Sequence, residues 1–268
     1  MKYYMRGPLD GQSPSHSPRL SPAILRPMIA RLTAISLGLL AASVLPALGL
    51  WRRYGRRAGV GFACGSVGAI LAQQSLVGMA ASRQRARMTP VDAMTLSRGF
   101  AAAVLVGLVT SGVHRRSGLA GWLGWGSLVY GSIVCDWLDG PIARRLGATS
   151  ELGALLDLES DSWLTLAAGS SAVACGNLPA YCLAAPLTRY ALLIAALRTI
   201  PYKQIYRGEP AWARPLGISQ MALFTAALAP FGGAGTRLAV RLAAPIVAPL
   251  QLAGMLLLYR RLRRNFGT

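Results

Sequence analysis

The chain has 268 residues, of which 53% are hydrophobic and only 14% charged, and its formal net charge at pH 7 is +19. A soluble domain carries about a quarter charged residues, so this composition excludes an ordinary soluble domain and indicates a polytopic membrane protein. The arginines stand in short clusters between long apolar runs, which is typical of loops that face anionic lipid. A nucleic-acid surface would interleave a basic stripe with aromatic residues, so we expect no nucleic-acid partner.

Eight apolar segments follow one another, each about as long as the roughly 20 residues that cross a hydrocarbon core. We place them near 28–51, 58–80, 92–113, 119–138, 151–174, 178–199, 212–231 and 237–258. The residues before them, 1–27, are rich in Ser and Pro and predict a disordered tail. The first apolar run is too long for a signal peptide, so we expect an uncleaved anchor. Because the eight segments are long enough to be membrane-spanning helices, we expect an all-α fold.

Basic clusters flank alternate segments from the third onward and predict the orientation. They are Arg83 to Arg87, Arg144 and Arg145, Arg198 to Arg214, and Arg260 to Arg264. The positive-inside rule places this side in the cytoplasm and predicts a multi-pass protein of the cell membrane. His114 to Arg116 fall on the other side, and so do Arg52 to Arg57 if both of the first two segments span. One of these two segments is therefore either a span or an interfacial or re-entrant helix.

The acidic residues are concentrated in one stretch, since six of the nine lie between Asp136 and Asp161. Four aspartates follow the pattern Asp136-x-x-Asp139-Gly140-x-x-Ala143-Arg144 and, after eight residues, Gly153-x-x-x-Asp157-x-x-x-Asp161. Residues three or four apart share a helix face, so two carboxylate pairs can meet across a short loop. Four close carboxylates need cations, and hard oxygen ligands favour Mg²⁺ or Mn²⁺.

A two-metal centre suits displacement at phosphorus, because it steadies the attacking and leaving oxygens. Arg144 can hold a phosphate through two parallel hydrogen bonds. Gly140, Ala143 and Gly153 are small enough for a ligand or a helix to approach the backbone. The alternative is a structural role, in which the aspartates are helix-end carboxylates paired with nearby arginines. Two acids would fit that role, whereas the motif has four.

The string from Asp136 to Asp161 matches the signature of the CDP-alcohol phosphotransferases at every fixed position, and the resemblance covers roughly residues 85–260. It implies a six-helix transmembrane core at 85–264, with one or two additional N-terminal hydrophobic helices at 28–84. It implies an integral-membrane enzyme that transfers a phosphatidyl group from CDP-diacylglycerol to a polar alcohol and releases CMP. Family members are often homodimers.

The resemblance also assigns roles to individual residues. Asp136, Asp139 and Asp157 would bind the metal pair, and Asp161 would complete the centre and act as general base. The nucleotide diphosphate would contact Gly140, Ala143, Arg144 and Ser150. A second matching stretch runs from Asp92 through Thr95 to Arg98. There Asp92 and Thr95 are either cytidine contacts or an N-cap and first-turn pair.

The acceptor is less well defined by the sequence. Arg189, Arg198 and Lys203, with Arg207, lie in or after the sixth segment. They are either ligands of a phosphorylated acceptor, such as glycerol 3-phosphate or inositol phosphate, or ordinary positive-inside anchors. Arg189 falls within a predicted span and therefore needs an internal partner or an aqueous cavity.

Three other functions are alternatives to this one. A divalent-cation transporter would distribute acids along a path through the bilayer, but the later spans contain none. A phosphotransferase with a donor of the CDP-choline or CDP-ethanolamine type would carry the same motif. A non-catalytic relative is disfavoured because the motif is intact.

Overall fold

The computed structural model describes residues 22–82, 90–113, 126–135, 151–196, 210, 212–229 and 233–266, together with positions 138, 141 and 145. These residues form helices and short turns, and they contain no strand. In chain order the helices are α1 (Pro22–Tyr54), α2 (Arg56–Ser82), α3 (Pro90–Thr110), α4 (Gly126–Cys135), α5 (Glu151–Ala174), a 3₁₀ turn (Ala180–Leu183), α6 (Ala184–Ala196), α7 (Ala213–Ala227) and α8 (Ala234–Phe266).

The all-helical prediction is confirmed for the described residues, and each of the eight predicted apolar segments overlaps one of these helices. Within the described parts of the chain, two stretches are long and apolar enough to cross a membrane, Thr33–Tyr54 in α1 and Ala234–Arg261 in α8. Helix α1 begins at Pro22, so residues 22–27 of the predicted tail are helical. The rest of that tail lies outside the described residues.

Helices α1 and α2 form a hairpin with an abrupt turn. Gly55 has a φ of +91°, a left-handed conformation that favours glycine after a helix end. Its N–H donates to the carbonyl of Trp51 at 2.9 Å, and α2 starts at the next residue. Both N-terminal apolar segments therefore form long helices that return along one another.

Helix α2 packs closely on α3 through two glycines one turn apart. The hydroxyl of Thr110 donates to the carbonyl of Gly61 at 2.7 Å. A Cβ on Gly61 would lie 2.6 Å from the carbonyl oxygen of Thr110, and one on Gly65 would lie 2.0 Å from the Thr110 hydroxyl. Small residues at this spacing let helix backbones approach within a membrane. The N-terminal hairpin is therefore part of the same bundle as α3.

The largest apolar core surrounds α5. Leu105 of α3, Leu164 of α5 and Phe224 of α7 are buried within it. A Cβ on Gly169 would lie 2.6 Å from the Phe224 ring, so the absence of a side chain there brings α7 against α5. A smaller cluster joins α2 and α3, and Trp163 of α5 packs against it. These contacts fix α5 between α2, α3 and α7.

The four cysteines form no CxxC pair and lie in or beside apolar runs, which predicts small buried hydrophobic residues; the structure agrees only in part. Cys182 is buried, Cys135 and Cys175 are half-buried, and Cys64 is exposed. All four are free thiols. The exposed position of Cys64 is compatible with a helix face turned toward lipid, where a small apolar side chain has no need of burial by protein.

Candidate active site

The site is organised around Arg98, a residue in the first half of α3. Its side chain is 1% exposed and is the largest of the fully buried side chains in the described structure. A guanidinium stays charged at any physiological pH, so its burial requires carboxylate partners. The identity of those partners defines the site.

Arg98 binds both described aspartates of the motif. Its Nη1 donates to Oδ1 of Asp161 at 2.7 Å, and its Nη2 donates to Oδ1 of Asp157. Asp157 and Asp161 are one turn apart on α5, so their carboxylates lie on the same face. The planar guanidinium presents two N–H groups in a fixed fork and can reach both carboxylates at once. Helices α3 and α5 are thereby joined by charge as well as by apolar packing.

The two carboxylates remain partly open to their surroundings. The side chain of Asp157 is 26% exposed and that of Asp161 is 45% exposed, whereas Arg98 is almost fully buried. The guanidinium therefore approaches from the protein interior, and the aspartates face outward from the packed core. A ligand arriving from the exposed side would meet Asp161 more readily than Asp157.

The described residues are compatible with the predicted divalent metals. Carboxylate oxygens are the ligands that Mg²⁺ and Mn²⁺ prefer, and a carboxylate can accept several interactions at once. No group of three or more possible ligands occurs within the described ranges. The other two predicted ligands, Asp136 and Asp139, lie outside those ranges. Asp157 and Asp161 thus fit half of the predicted centre.

Several predicted nucleotide contacts cannot be placed in the site. Gly140, Ala143, Arg144 and Ser150 lie outside the residues that the structure describes. The backbones of Asp92 and Thr95 lie within α3, and their side chains are not among those described. Because α3 begins at Pro90, Asp92 belongs to its first turn rather than to the N-cap position. Asp92 and Thr95 lie on the same helix as Arg98 and precede it.

Arg189 has the internal partner that its position required. Its Nη2 lies 3.0 Å from Oε1 of Glu159, and the two side chains are 16% and 6% exposed. Glu159 is two residues from both Asp157 and Asp161, so at 100° per residue it projects from the opposite face of α5. Next to this pair, the rings of Trp163 and Tyr190 meet edge to face, with centroids 5.9 Å apart. The other predicted acceptor residues, Arg198 and Lys203, lie outside the described residues.

Two residues of these networks were assigned no role from the sequence. Arg98 was recognised as part of the matching stretch, and Glu159 was counted among the clustered acids. A charge inside an apolar segment signals a partner within the bundle, and both residues carry that signal. The sequence does not show which residue pairs with Arg98 or with Glu159.

A family model described as CDP-alcohol phosphatidyltransferase matches residues 88–256. The chain belongs to that family. The match includes α3 with Arg98 and α5 with Asp157 and Asp161, whereas α1 and α2 precede it. Comparisons with curated proteins and with solved structures find no match. The family is one of membrane-embedded transferases, which agrees with the two apolar helices described above.

Proposed function

We propose that the protein is an integral-membrane phospholipid synthase that transfers the phosphatidyl group of CDP-diacylglycerol to the hydroxyl of a small polar acceptor. The observation that carries this proposal is the convergence of Arg98, Asp157 and Asp161 within the region of the family match. In the reaction, the acceptor oxygen bonds to the β-phosphorus. The bond from that phosphorus to the bridging oxygen breaks, and CMP leaves.

Asp161 is the proposed general base. Its carboxylate is the more exposed of the described pair, so an acceptor hydroxyl can reach it more easily than it can reach Asp157. The acceptor proton passes to a carboxylate oxygen of Asp161 as the oxygen attacks. Arg98 is the proposed positioning residue, because its two N–H groups hold both carboxylates in one orientation before the substrate binds.

Asp136, Asp139, Asp157 and Asp161 are the proposed ligands of two Mg²⁺ or Mn²⁺ ions. When bound, such ions supply positive charge to the leaving phosphate and to the attacking oxygen. Gly140, Ala143, Arg144 and Ser150, with Asp92 and Thr95, are the proposed contacts of the cytidine diphosphate. The six helices from α3 onward are the proposed transmembrane core, with the site on the cytoplasmic side.

The proposed acceptor is glycerol 3-phosphate or another phosphorylated alcohol, and Arg198 and Lys203 are its proposed ligands. For Arg189 we propose a structural role. Its guanidinium pairs with Glu159, and that pair lies on the face of α5 opposite the two aspartates. In that role the pair holds the middle of α6 against α5 and does not bind the acceptor.

The test is release of CMP by the purified full-length protein. The donor is CDP-diacylglycerol with Mg²⁺ or Mn²⁺, and the acceptors are glycerol 3-phosphate, inositol phosphate, inositol and serine, each tried separately. We expect acceptor-dependent CMP release with one phosphorylated acceptor and none in the presence of EDTA. CDP-choline and CDP-ethanolamine serve as alternative donors. Turnover of those donors alone, or no CMP release with any pair, would contradict the proposal.

A further inference from the structure

A cavity lies at the end of the bundle away from the aspartates, between the α1–α2 turn and the end of α3. Its volume is about 430 Å³. It is lined by Tyr54, Gly55, Arg56, Arg57, Ala58, Ser111, Gly112 and Val113. Arg98 and Ser111 are thirteen residues apart, which corresponds to about 20 Å along a helix of 1.5 Å rise per residue. The cavity is therefore separate from the site described above.

The cavity carries positive charge that the described part of the chain does not neutralise. Arg56 and Arg57 line it, and Arg52 and Arg53 precede it in the last turn of α1; all four are exposed. The acidic side chains that the structure describes are Asp157, Glu159 and Asp161, all of them on α5. None of the four arginines is paired with those carboxylates.

The local backbone adds to this charge. Arg56 and Arg57 occupy the first turn of α2, which contains no acidic residue. A helix N-terminus has a partial positive charge, so two arginines there are repelled by the helix as well as by each other. An anion held between the two arginines would offset both the repulsion from the helix N-terminus and the repulsion between the guanidinium groups. Ser111 also lines the cavity, but its hydroxyl donates to the carbonyl of Leu108 at 2.6 Å, so the arginines are the donors available to an anion.

Exposed apolar side chains stand on α1 and α2 within two turns of the residues that line the cavity, and we call them the apolar rim. Leu48 and Trp51 of α1 and Val60 of α2 are 45%, 47% and 44% exposed. An exposed tryptophan beside arginines is typical of the level at which lipid headgroups meet the hydrocarbon core. A free phosphate ion would use the arginines alone. A ligand with an anionic head and hydrocarbon tails would use both the arginines and the apolar rim.

We propose that this cavity binds the phosphate-bearing headgroup of an anionic phospholipid. Arg56 and Arg57 hold the phosphate, and the acyl chains lie along the exposed apolar surface of α1 and α2. The proposal assigns a binding role to the N-terminal hairpin, which precedes the family match. It does not depend on the transferase reaction proposed above, because none of its residues belongs to that site.

The test measures lipid binding to the full-length protein by native mass spectrometry, with dioleoylphosphatidylglycerol and dioleoylphosphatidylcholine as probes. In the double variant R56Q/R57Q we expect the affinity of the first bound phosphatidylglycerol to fall about 30-fold, since two arginines near an anionic headgroup are lost. The matched control is R260Q/R261Q, which removes two exposed arginines from the last turns of α8. We expect that control to retain this first binding step.

A second variant and a salt titration guard against misfolding of R56Q/R57Q. The variant R56K/R57K keeps both charges, and we expect it to bind phosphatidylglycerol close to the wild-type level. Binding to the wild type should weaken as NaCl is raised, because salt screens exposed charges. Equal affinity of the wild type for the two lipids, salt-independent binding, or undiminished binding by R56Q/R57Q would overturn the proposal. Displacement of the lipid by an equal concentration of inorganic phosphate would overturn the assignment to a lipid.

Discussion

Arg189 and Glu159 form an ion pair at 3.0 Å between α6 and α5, with both side chains largely buried. The pair joins the middle of α6 to the first half of α5, and the edge-to-face contact of Trp163 with Tyr190 lies beside it. A buried charge left without its partner is far more costly than the pair itself. The relationship therefore predicts different outcomes for single and double substitutions.

Replacing Arg189 by Met should lower the free energy of unfolding by about 3–5 kcal/mol, because the buried Glu159 carboxylate would lose the guanidinium that pairs with it. Replacing both Arg189 and Glu159 by Met should restore most of that stability. Thermal unfolding in detergent and the KM for the acceptor should be measured for both variants. An unchanged unfolding temperature in the single variant, with a strongly raised acceptor KM, would instead assign Arg189 to the acceptor.

Arg98 should be required for the stability of the metal-free protein. In the variant Arg98→Gln, two adjacent carboxylates lose the cation between them, and we expect a loss of about 3 kcal/mol in the presence of EDTA. Arg98→Lys keeps the positive charge, but its ammonium lacks the planar pair of N–H groups that reaches both carboxylates, so this variant should recover the stability only in part. Denaturant unfolding with EDTA measures the loss. Equal stability of Arg98→Gln and the wild type would show that the pairing contributes nothing.

Asp157→Asn and Asp161→Asn should each abolish CMP release, since one removes a proposed metal ligand and the other also removes the proposed base. Asn is nearly isosteric with Asp, so both variants should fold. The control is Ser171→Ala, near the far end of the same helix, where the hydroxyl donates to the carbonyl of Ala167 within that helix. That control should retain CMP release. Substantial turnover by both aspartate variants would rule out the mechanism.

The close packing of α2 on α3 should make Gly61 sensitive to a single methyl group. In Gly61→Ala the new Cβ would meet the Thr110 carbonyl oxygen at 2.6 Å, and this neighbour is backbone that cannot rotate away. We expect a loss of about 1–3 kcal/mol in unfolding free energy. Gly68→Ala, at a position with nothing within 4 Å of the added Cβ, is the control and should be neutral. Equal thermal stability of the two variants would contradict this packing.

Gln73 should be replaceable by Leu with a gain in stability. Its side chain is 3% exposed, and neither its amide oxygen nor its nitrogen has a hydrogen-bond partner among the described residues. An unpaired buried amide costs about 1–3 kcal/mol, so Gln73→Leu should raise the unfolding temperature. Gln251 is equally buried but donates to the carbonyl of Leu216, so Gln251→Leu should lower it. A fall in both variants would indicate that Gln73 has a partner in the folded protein.

The helices could be predicted from the sequence because each apolar run is about as long as a span and is followed within three residues by Gly, Pro or Arg. Helix α5 was predicted at 151–174, and the structure places it at Glu151–Ala174. The prediction was weaker at the N-terminus, where α1 begins six residues before the predicted segment. There the run of Ser and Pro residues that ends at Ser21-Pro22 suggested a disordered tail, although Pro is tolerated in the first turn of a helix.

The sequence predicts that a charge within an apolar segment needs a partner, but it does not predict which residue that partner is. An arginine within an apolar segment needs a partner, and this was foreseen for Arg189 but not for Arg98. Composition and spacing do not show which acid lies beside which base, because Arg98 and Asp161 are 63 residues apart in the chain. Periodicity does divide the acids of α5 into two faces. The choice between those faces depends on how the neighbouring helices pack.

The interlocking of Gly61 and Gly65 with Thr110 has a consequence for the minimal protein that can be studied. The family match starts at residue 88, but the surface of α3 that meets α2 is shaped for backbone-to-backbone contact rather than for acyl chains. A polypeptide trimmed to residues 88–256 would present that surface to lipid. We therefore expect the smallest unit that folds on its own to be larger than residues 88–256. The first two helices should be needed for α3 to fold and pack correctly.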